Sequence, residues 1–150
     1  MEDLGEIWYA LGIKVSQDRK LKTISLSQEL YVNKIITKFR KMDCKSVATP
    51  MIPGTHLVPS KEEDLSINFK YHKAVGSLNY LTLCTRPDLA YETSSLSQFL
   101  ENPLRDHVAA FKRVLRYLQG TKSDELMLGG ALPIEIKGYS DSNVGWCLTN

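Results

Sequence analysis

Cysteine is scarce and badly placed for cross-linking. Cys44, Cys84 and Cys147 lie far apart, are odd in number and form no C-x-x-C pair, which excludes a disulfide framework and a zinc knuckle and fits a reducing compartment. His56, His72 and His107 share no metal-ligand spacing with one another or with the cysteines. Long apolar runs are missing as well. The longest uncharged helical stretch falls well short of the ~20 residues that span a bilayer, and the N-terminal MEDLGEIW is acidic where a signal peptide needs a basic and then an apolar region. The expectation is an intracellular chain, cytoplasmic or nuclear, neither secreted nor membrane-embedded by its own signals. An excess of one charge is also absent. Nineteen basic against 17 acidic residues give a net charge of +2, too mild to argue nucleic-acid binding without a favourable distribution. What is present, 43% hydrophobic residues in 150, suits one ordinary domain that buries about 68–70% of its unfolded surface.

The chain is organised around Tyr71 to Gly120, which reads as three helices joined by two proline-marked turns. Thr85 followed by Asp88 has the form of a capping box, with Pro87 in the first turn of the second helix, and Asn102 and Pro103 repeat the arrangement for the third. Gly120 is placed to end the third helix through positive φ. Each helix carries one apolar stripe: Ala74, Val75, Leu78 and Leu81; then Leu89, Thr93, Leu96 and Leu100; then Leu104, Val108, Phe111, Leu115 and Leu118.

The opposite face of the first of these helices gathers His72, Gly76, Asn79 and Tyr80. A helical glycine costs roughly 1 kcal/mol relative to alanine. Two readings of Gly76 stand: close packing of another helix, or close approach of a nucleic-acid backbone or minor groove, for which an amide, an imidazole and a phenol supply hydrogen bonds and a flat ring.

Upstream, WYALGIKV alternates from Trp8 to Val15, with Tyr9, Leu11, Ile13 and Val15 on one face of a half-buried strand. SQDRK reads as a turn and LKTISL as a second strand. Ser27 is placed to cap a helix over 28–41 whose apolar face comprises Tyr31, Val32, Ile35, Ile36, Phe39 and Met42. Lys34, Lys38 and Lys41 run beside that face, either as a solvated rim or as phosphate ligands. Residues 47–69, with Pro50, Pro53, Pro59, Gly54 and KEED at 61–64, read as an extended, mobile connector. On the third helix of the later unit, Arg105, Lys112, Arg113 and Arg116 make a second basic surface, again either solvated or phosphate-binding. After Gly120, ELMLGGALPIEIKGYSDSN suggests two strands around Gly129 and Gly130, with Asp141 at a strand end.

The run VGSLNYLTLCTRPDLAYETSSLSQFL, continued by HVAAFKRVLRYLQGT, closely resembles the segment of copia-type retrotransposon Pol polyproteins that follows the reverse transcriptase active site. The LGI of residues 11–13, the LSQxxYVxKIxxxF pattern and Thr49-Pro50 extend the likeness over nearly the whole chain, although Ala10 stands where the family usually has phenylalanine. The resemblance implies an α+β chain: residues 1–46 as the end of the palm, with a primer-grip-like hairpin and helix; 47–69 as a linker; 70–121 as a thumb-like three-helix unit; and 122–150 as a truncated start of ribonuclease H. It implies that Leu11, Gly12 and Ile13 position the primer end, that His72, Gly76, Asn79 and Tyr80 form a minor-groove track, and that Lys34, Lys38, Lys112, Arg113 and Arg116 meet phosphates. GYSDSN resembles the start of the ribonuclease H domain, so Asp141 becomes an incomplete catalytic site and a magnesium ligand only if the rest of that domain were present. Val144 replaces its usual tryptophan. The sequence contains no Y-x-D-D, and a two-metal polymerase needs paired aspartates. The expectation is a catalytically silent fragment that needs no cofactor by itself, with magnesium serving the intact polyprotein, whose partners are an RNA–DNA or DNA template-primer duplex and the remainder of Pol. The alternative is a non-enzymatic helical interaction module or an inert relic.

Overall fold

The computed structural model describes residues 5–39, 45–59, 69–130 and 138–139. The fold is α+β. Strands β1 (Tyr9–Ala10), β2 (Ile13–Asp18) and β3 (Thr23–Ser27) precede helix α1 (Glu29–Phe39); α2 (Tyr71–Cys84), a 3₁₀ turn (Pro87–Leu89), α3 (Ala90–Ser97) and α4 (Arg105–Gly120) follow; β4 (Leu126–Gly129) closes the described chain. The four strands form one antiparallel sheet in the order β1-β2-β3-β4.

The strand expected from Trp8 to Val15 is cut in two. Leu11 and Gly12 take positive φ of 51° and 78°, the two-residue turn whose twist matches that of antiparallel strands. Ala10 then pairs with Ile13, and Tyr9 with Lys14. Tyr9 therefore leaves the face of Ile13 and Val15, where simple alternation had put it. The next turn is held by Asp18, whose Oδ1 accepts the backbone N–H groups of Lys20 and Leu21 at 2.8 and 3.0 Å. The second strand accordingly starts at Thr23, leaving Leu21 exposed.

The C-terminal strand is the larger departure. Expected to open a separate hairpin, Leu126–Gly129 instead lies along β3, with Leu126 opposite Leu26 and Leu128 opposite Ile24. Gly129 permits this: its φ is +93°, and a Cβ there would lie 2.2 Å from the Lys22 carbonyl oxygen. The N–H of Gly130 donates to that same oxygen at 3.1 Å. The proposed second strand, at 131–137, lies outside the described residues.

The core is helical. Val32, Ile35 and Ile36 of α1 join Tyr71, Ala74, Val75, Leu78 and Leu81 of α2, Leu89 and Leu96, and Val108, Phe111, Val114, Leu115 and Leu118 of α4 in one cluster. Most of these residues are on the stripes read from the sequence; Tyr71 and Val114 join them, Leu100 packs against the cluster, Leu104 is not part of it, and α1 shares the core of the three later helices. Each buried aliphatic or aromatic side chain contributes about 1.5–3 kcal/mol. Phe39, Phe69 and Phe111 meet at centroid distances of 5.5–6.0 Å. The Tyr71 hydroxyl donates to the Leu96 carbonyl at 2.9 Å, and burial pushes its pKa up to about 12.

The helix boundaries use devices other than those expected. The Thr85 hydroxyl donates to Gln28 Oε1 at 2.8 Å, tying the end of α2 to the start of α1. Leu104, after Asn102 and Pro103, is the cap residue of α4, and its N–H donates to His107 Nδ1 at 2.9 Å. Gly120 is the last residue of α4 with Thr121 as its cap, and it serves close approach: a Cβ there would stand 3.0 Å from the Ser46 Cβ. The connector does not stand clear of the helices. Met51 is buried, and Leu57 packs on the core.

Candidate nucleic-acid interface

Helix α2 is amphipathic by construction. With Ala74, Val75, Leu78 and Leu81 facing inward, the 3.6-residue period turns His72, Gly76 and Asn79 outward, and all three are exposed. A Cβ built on Gly76 meets nothing within 4 Å. No described part of this chain packs against the glycine, so the close-packing reading finds no partner there.

Tyr80 behaves differently from its three companions. Its hydroxyl donates to the Leu11 carbonyl in the β1–β2 turn, and its ring meets that of Tyr31 edge-on at 5.1 Å. A Cβ on Gly12 would sit 3.9 Å from the same hydroxyl. The hairpin tip and α2, separated by about sixty residues of chain, are thus brought together by one phenol. At that tip the Leu11 side chain is 87% exposed, while Ile13 is half-buried on the sheet.

The basic positions divide. Lys34 and Lys38 are exposed on α1, with the Lys38 ammonium 5.0 Å from the centroid of the Phe39 ring, and Lys112 is exposed on α4. The two arginines are drawn toward the connector instead. Arg113 Nη2 donates to Thr49 Oγ1 at 3.0 Å, and Arg116 Nε to the Lys45 carbonyl at 2.8 Å. Spacing showed that these residues share a side of α4 but not that a backbone segment lies within their reach. Asp141, expected as a magnesium ligand, lies outside the described residues. Among the described residues no group of three or more His, Cys, Asp or Glu could hold a metal, and no helix is long and apolar enough to cross a membrane.

A polar cluster absent from the sequence reading holds the turn beneath this surface. Arg86 is only 3% exposed. Its Nε and Nη2 bind Asp88 at 2.9 and 2.7 Å, while Nη1 and Nη2 reach the carbonyl and hydroxyl of Thr121 at 2.9 and 2.8 Å. Tyr117 adds a hydrogen bond to Asp88 at 2.9 Å. Burial alone would weaken both charges, but the forked pairing wins: it holds the Asp88 carboxyl below its ordinary value and the guanidinium above its own. The signal available was an arginine two residues before an aspartate across a proline turn. Glu92 was overlooked too, although it lies three residues after Leu89 on the apolar stripe of α3.

The chain is 39% identical, over its whole length, to the retrovirus-related Pol polyprotein from transposon TNT 1-94 of Nicotiana tabacum, and 35% identical over 95% of its length to that from transposon RE1 of Arabidopsis thaliana. It spans 12% and 10% of those two polyproteins. An uncharacterised mitochondrial protein of Arabidopsis thaliana is 32% identical over 98% of the chain and 60% of its own length. No family model and no solved structure matches the chain.

Proposed function

We propose, because this chain belongs to the copia-type retrotransposon Pol polyproteins, that it is the part of such a reverse transcriptase which holds the template-primer duplex. His72, Gly76 and Asn79 face the minor groove; Lys34, Lys38 and Lys112 neutralise phosphates; and the Leu11–Gly12 turn meets the primer end. The observation that carries the reading is Tyr80. By donating to the Leu11 carbonyl, it couples the two elements that would touch the same duplex, one in its groove and one at its primer terminus. Arg113 and Arg116 act here indirectly, by fastening the connector to α4. The sequence contains no Y-x-D-D, and in this reading the chain contributes position rather than bond making.

The test is binding of the purified chain to a short RNA–DNA primer-template at two salt concentrations. Contacts to phosphates make affinity fall with salt, with a log–log slope of roughly −0.9 per phosphate neutralised, so three lysines imply a slope of about −3. A flat response, or no binding, refutes the reading.

The second reading, a protein-interaction module, draws on the sheet. Ala10, Ile13, Val15, Ile24, Leu26, Leu126 and Leu128 share one face by register, and none of them belongs to the helical core among the described residues. Leu128 remains 49% exposed. An apolar sheet face of this kind is what a protein partner covers, and in the intact polyprotein the remainder of Pol would be that partner.

A further inference from the structure

Beside the helical core, and apart from the α2 face, residues 49–55 with Tyr91 and Glu92 of α3 line an open cavity of about 310 Å³. We propose that this cavity binds the side chain of a lysine or arginine presented on a peptide, with the Glu92 carboxylate as its acceptor. Glu92 lines the cavity and is 8% exposed, and its Oε2 is buried without a hydrogen-bond partner. A buried acceptor left unpaired is costly to a fold, and nothing within the described chain uses this one. The nearby Arg86 is fully engaged by Asp88 and Thr121, and Arg113 reaches the cavity wall only through the Thr49 hydroxyl. Burial pushes the Glu92 carboxyl up, a backbone hydrogen bond at Glu92 opposes the rise and the negative Asp88 adds to it, so an arriving cation favours the charged carboxylate.

The rest of the wall selects the sign and shape of the guest. Among the described residues no Lys, Arg or His lines the cavity, which disfavours an anion. Pro50 and Pro53 have no N–H to offer, and the donors that remain in the wall, among them the Thr49, Thr55 and Tyr91 hydroxyls, are uncharged and can accept as well as donate. Ile52-Pro53-Gly54-Thr55 forms a turn closed by Thr55 N–H to the Ile52 carbonyl at 3.1 Å, with Gly54 at φ +78°. Proline then glycine at the centre of such a turn gives a stiff rim. Met51 supplies a buried apolar wall, and Tyr91, 66% exposed, stands at the mouth. An alkyl stem lies along the first, and a cationic head stays within reach of both the ring and the carboxylate. The volume falls at the low end of ligand sites, a size that admits one long side chain.

The proposal does not rest on duplex binding. It is tested by NMR titration of the full chain with n-butylguanidinium, with the neutral amide pentanamide, and with a blocked Gly-Arg-Gly peptide. We expect saturable shifts confined to residues 49–55 and 90–93 for the guanidinium and the peptide, with pentanamide at least about tenfold weaker, as loss of a charge-assisted hydrogen bond implies. Glu92→Gln should lose at least about tenfold in affinity by the same argument. Tyr91→Ala, at a solvent-exposed ring, should weaken binding several-fold with an unchanged melting temperature, which keeps the test decisive even if Glu92→Gln perturbs folding. Equal binding of pentanamide, unaltered binding by both variants, or shifts scattered elsewhere would overturn the proposal. Binding of the free guanidinium without the peptide would also overturn it, by assigning the cavity to small cations.

Discussion

Replacing Gly76 separates stability from recognition. Because a Cβ at this position meets nothing within 4 Å, Gly76→Ala neither clashes nor buries new surface, and the difference left is backbone propensity. Alanine is favoured over glycine inside a helix by about 0.8–1 kcal/mol. For a domain of this size that amounts to a rise of about 2–4 °C in melting temperature. Gly76→Leu should give a similar rise, since leucine is nearly as good a helix former and its side chain has open space to occupy. In duplex binding the two should part: leucine fills the groove where a sugar-phosphate backbone would lie, while alanine intrudes by one methyl. Thermal melts followed by titration with a primer-template at two salt concentrations read both effects. A lowered melting temperature for either variant would refute the open-face geometry. A raised melting temperature with undiminished duplex binding by Gly76→Leu would refute the role of the face in recognition.

Four further outcomes follow from the contacts. Arg86→Lys, which loses the planar fork between Asp88 and Thr121, should cost about 2–3 kcal/mol in urea denaturation; a loss below about 0.5 kcal/mol would show that the bidentate pairing does not hold the turn. Burial lowers the His107 pKa, and its Nδ1 must stay unprotonated to accept the Leu104 N–H. The unfolded chain therefore takes up the proton first, and stability, full above about pH 6.5, should fall as pH drops below it; equal urea midpoints at about pH 7.5 and 5.5, or an undiminished difference in His107→Gln, would contradict this. Gly129→Ala should release β4 from β3, read as rapid amide exchange at 126–129, because the new methyl would overlap the Lys22 carbonyl; retained protection would show that the strand pair tolerates it. Tyr80→Phe removes the bond to Leu11 but keeps the ring against Tyr31, so it should cost about 1 kcal/mol or less and speed exchange in the hairpin turn, and no change there would deny that the phenol anchors it.

The helical part of the fold was legible because its information is local. A 3.6-residue period is written into each stripe, and the inward residues of α2, α3 and α4 follow from it, as does the outward turn of His72, Gly76 and Asn79. The features that escaped are non-local or depend on backbone sign. Leu11 carries no mark of positive φ, so alternation ran straight through the β1–β2 turn and misplaced Tyr9. The pairing of β4 with β3 joins segments about a hundred residues apart, and nothing in LMLG distinguishes that partner from a following strand. Arg113 and Arg116 looked like free cations because helical spacing places residues relative to their own axis and says nothing of the connector crossing it. Tyr80 shared the groove face in projection, but its long ring had a second destination that only the hairpin's position reveals.

That second destination bears on how the chain would work as part of a polymerase. The sheet contributes no residue to the helical core among the described residues, and its attachments to the later helices include the Tyr80–Leu11 bond and, one step beyond β3, the Gln28–Thr85 bond. Hydrogen bonds of this kind are worth about 1 kcal/mol each, far less than the packing that fixes α2 against α4. The distance between hairpin tip and groove face is therefore set by weak, directional contacts rather than by bulk burial. If a duplex spans both, its own contacts are comparable in strength to the bonds that hold the tip, so binding would sharpen the tip's position. A partner covering the apolar face of the sheet would do the same from the other side. Duplex binding and coverage of the sheet should then reinforce each other through the hairpin, and Tyr80→Phe, by loosening the link, should reduce that reinforcement while leaving the helical core intact.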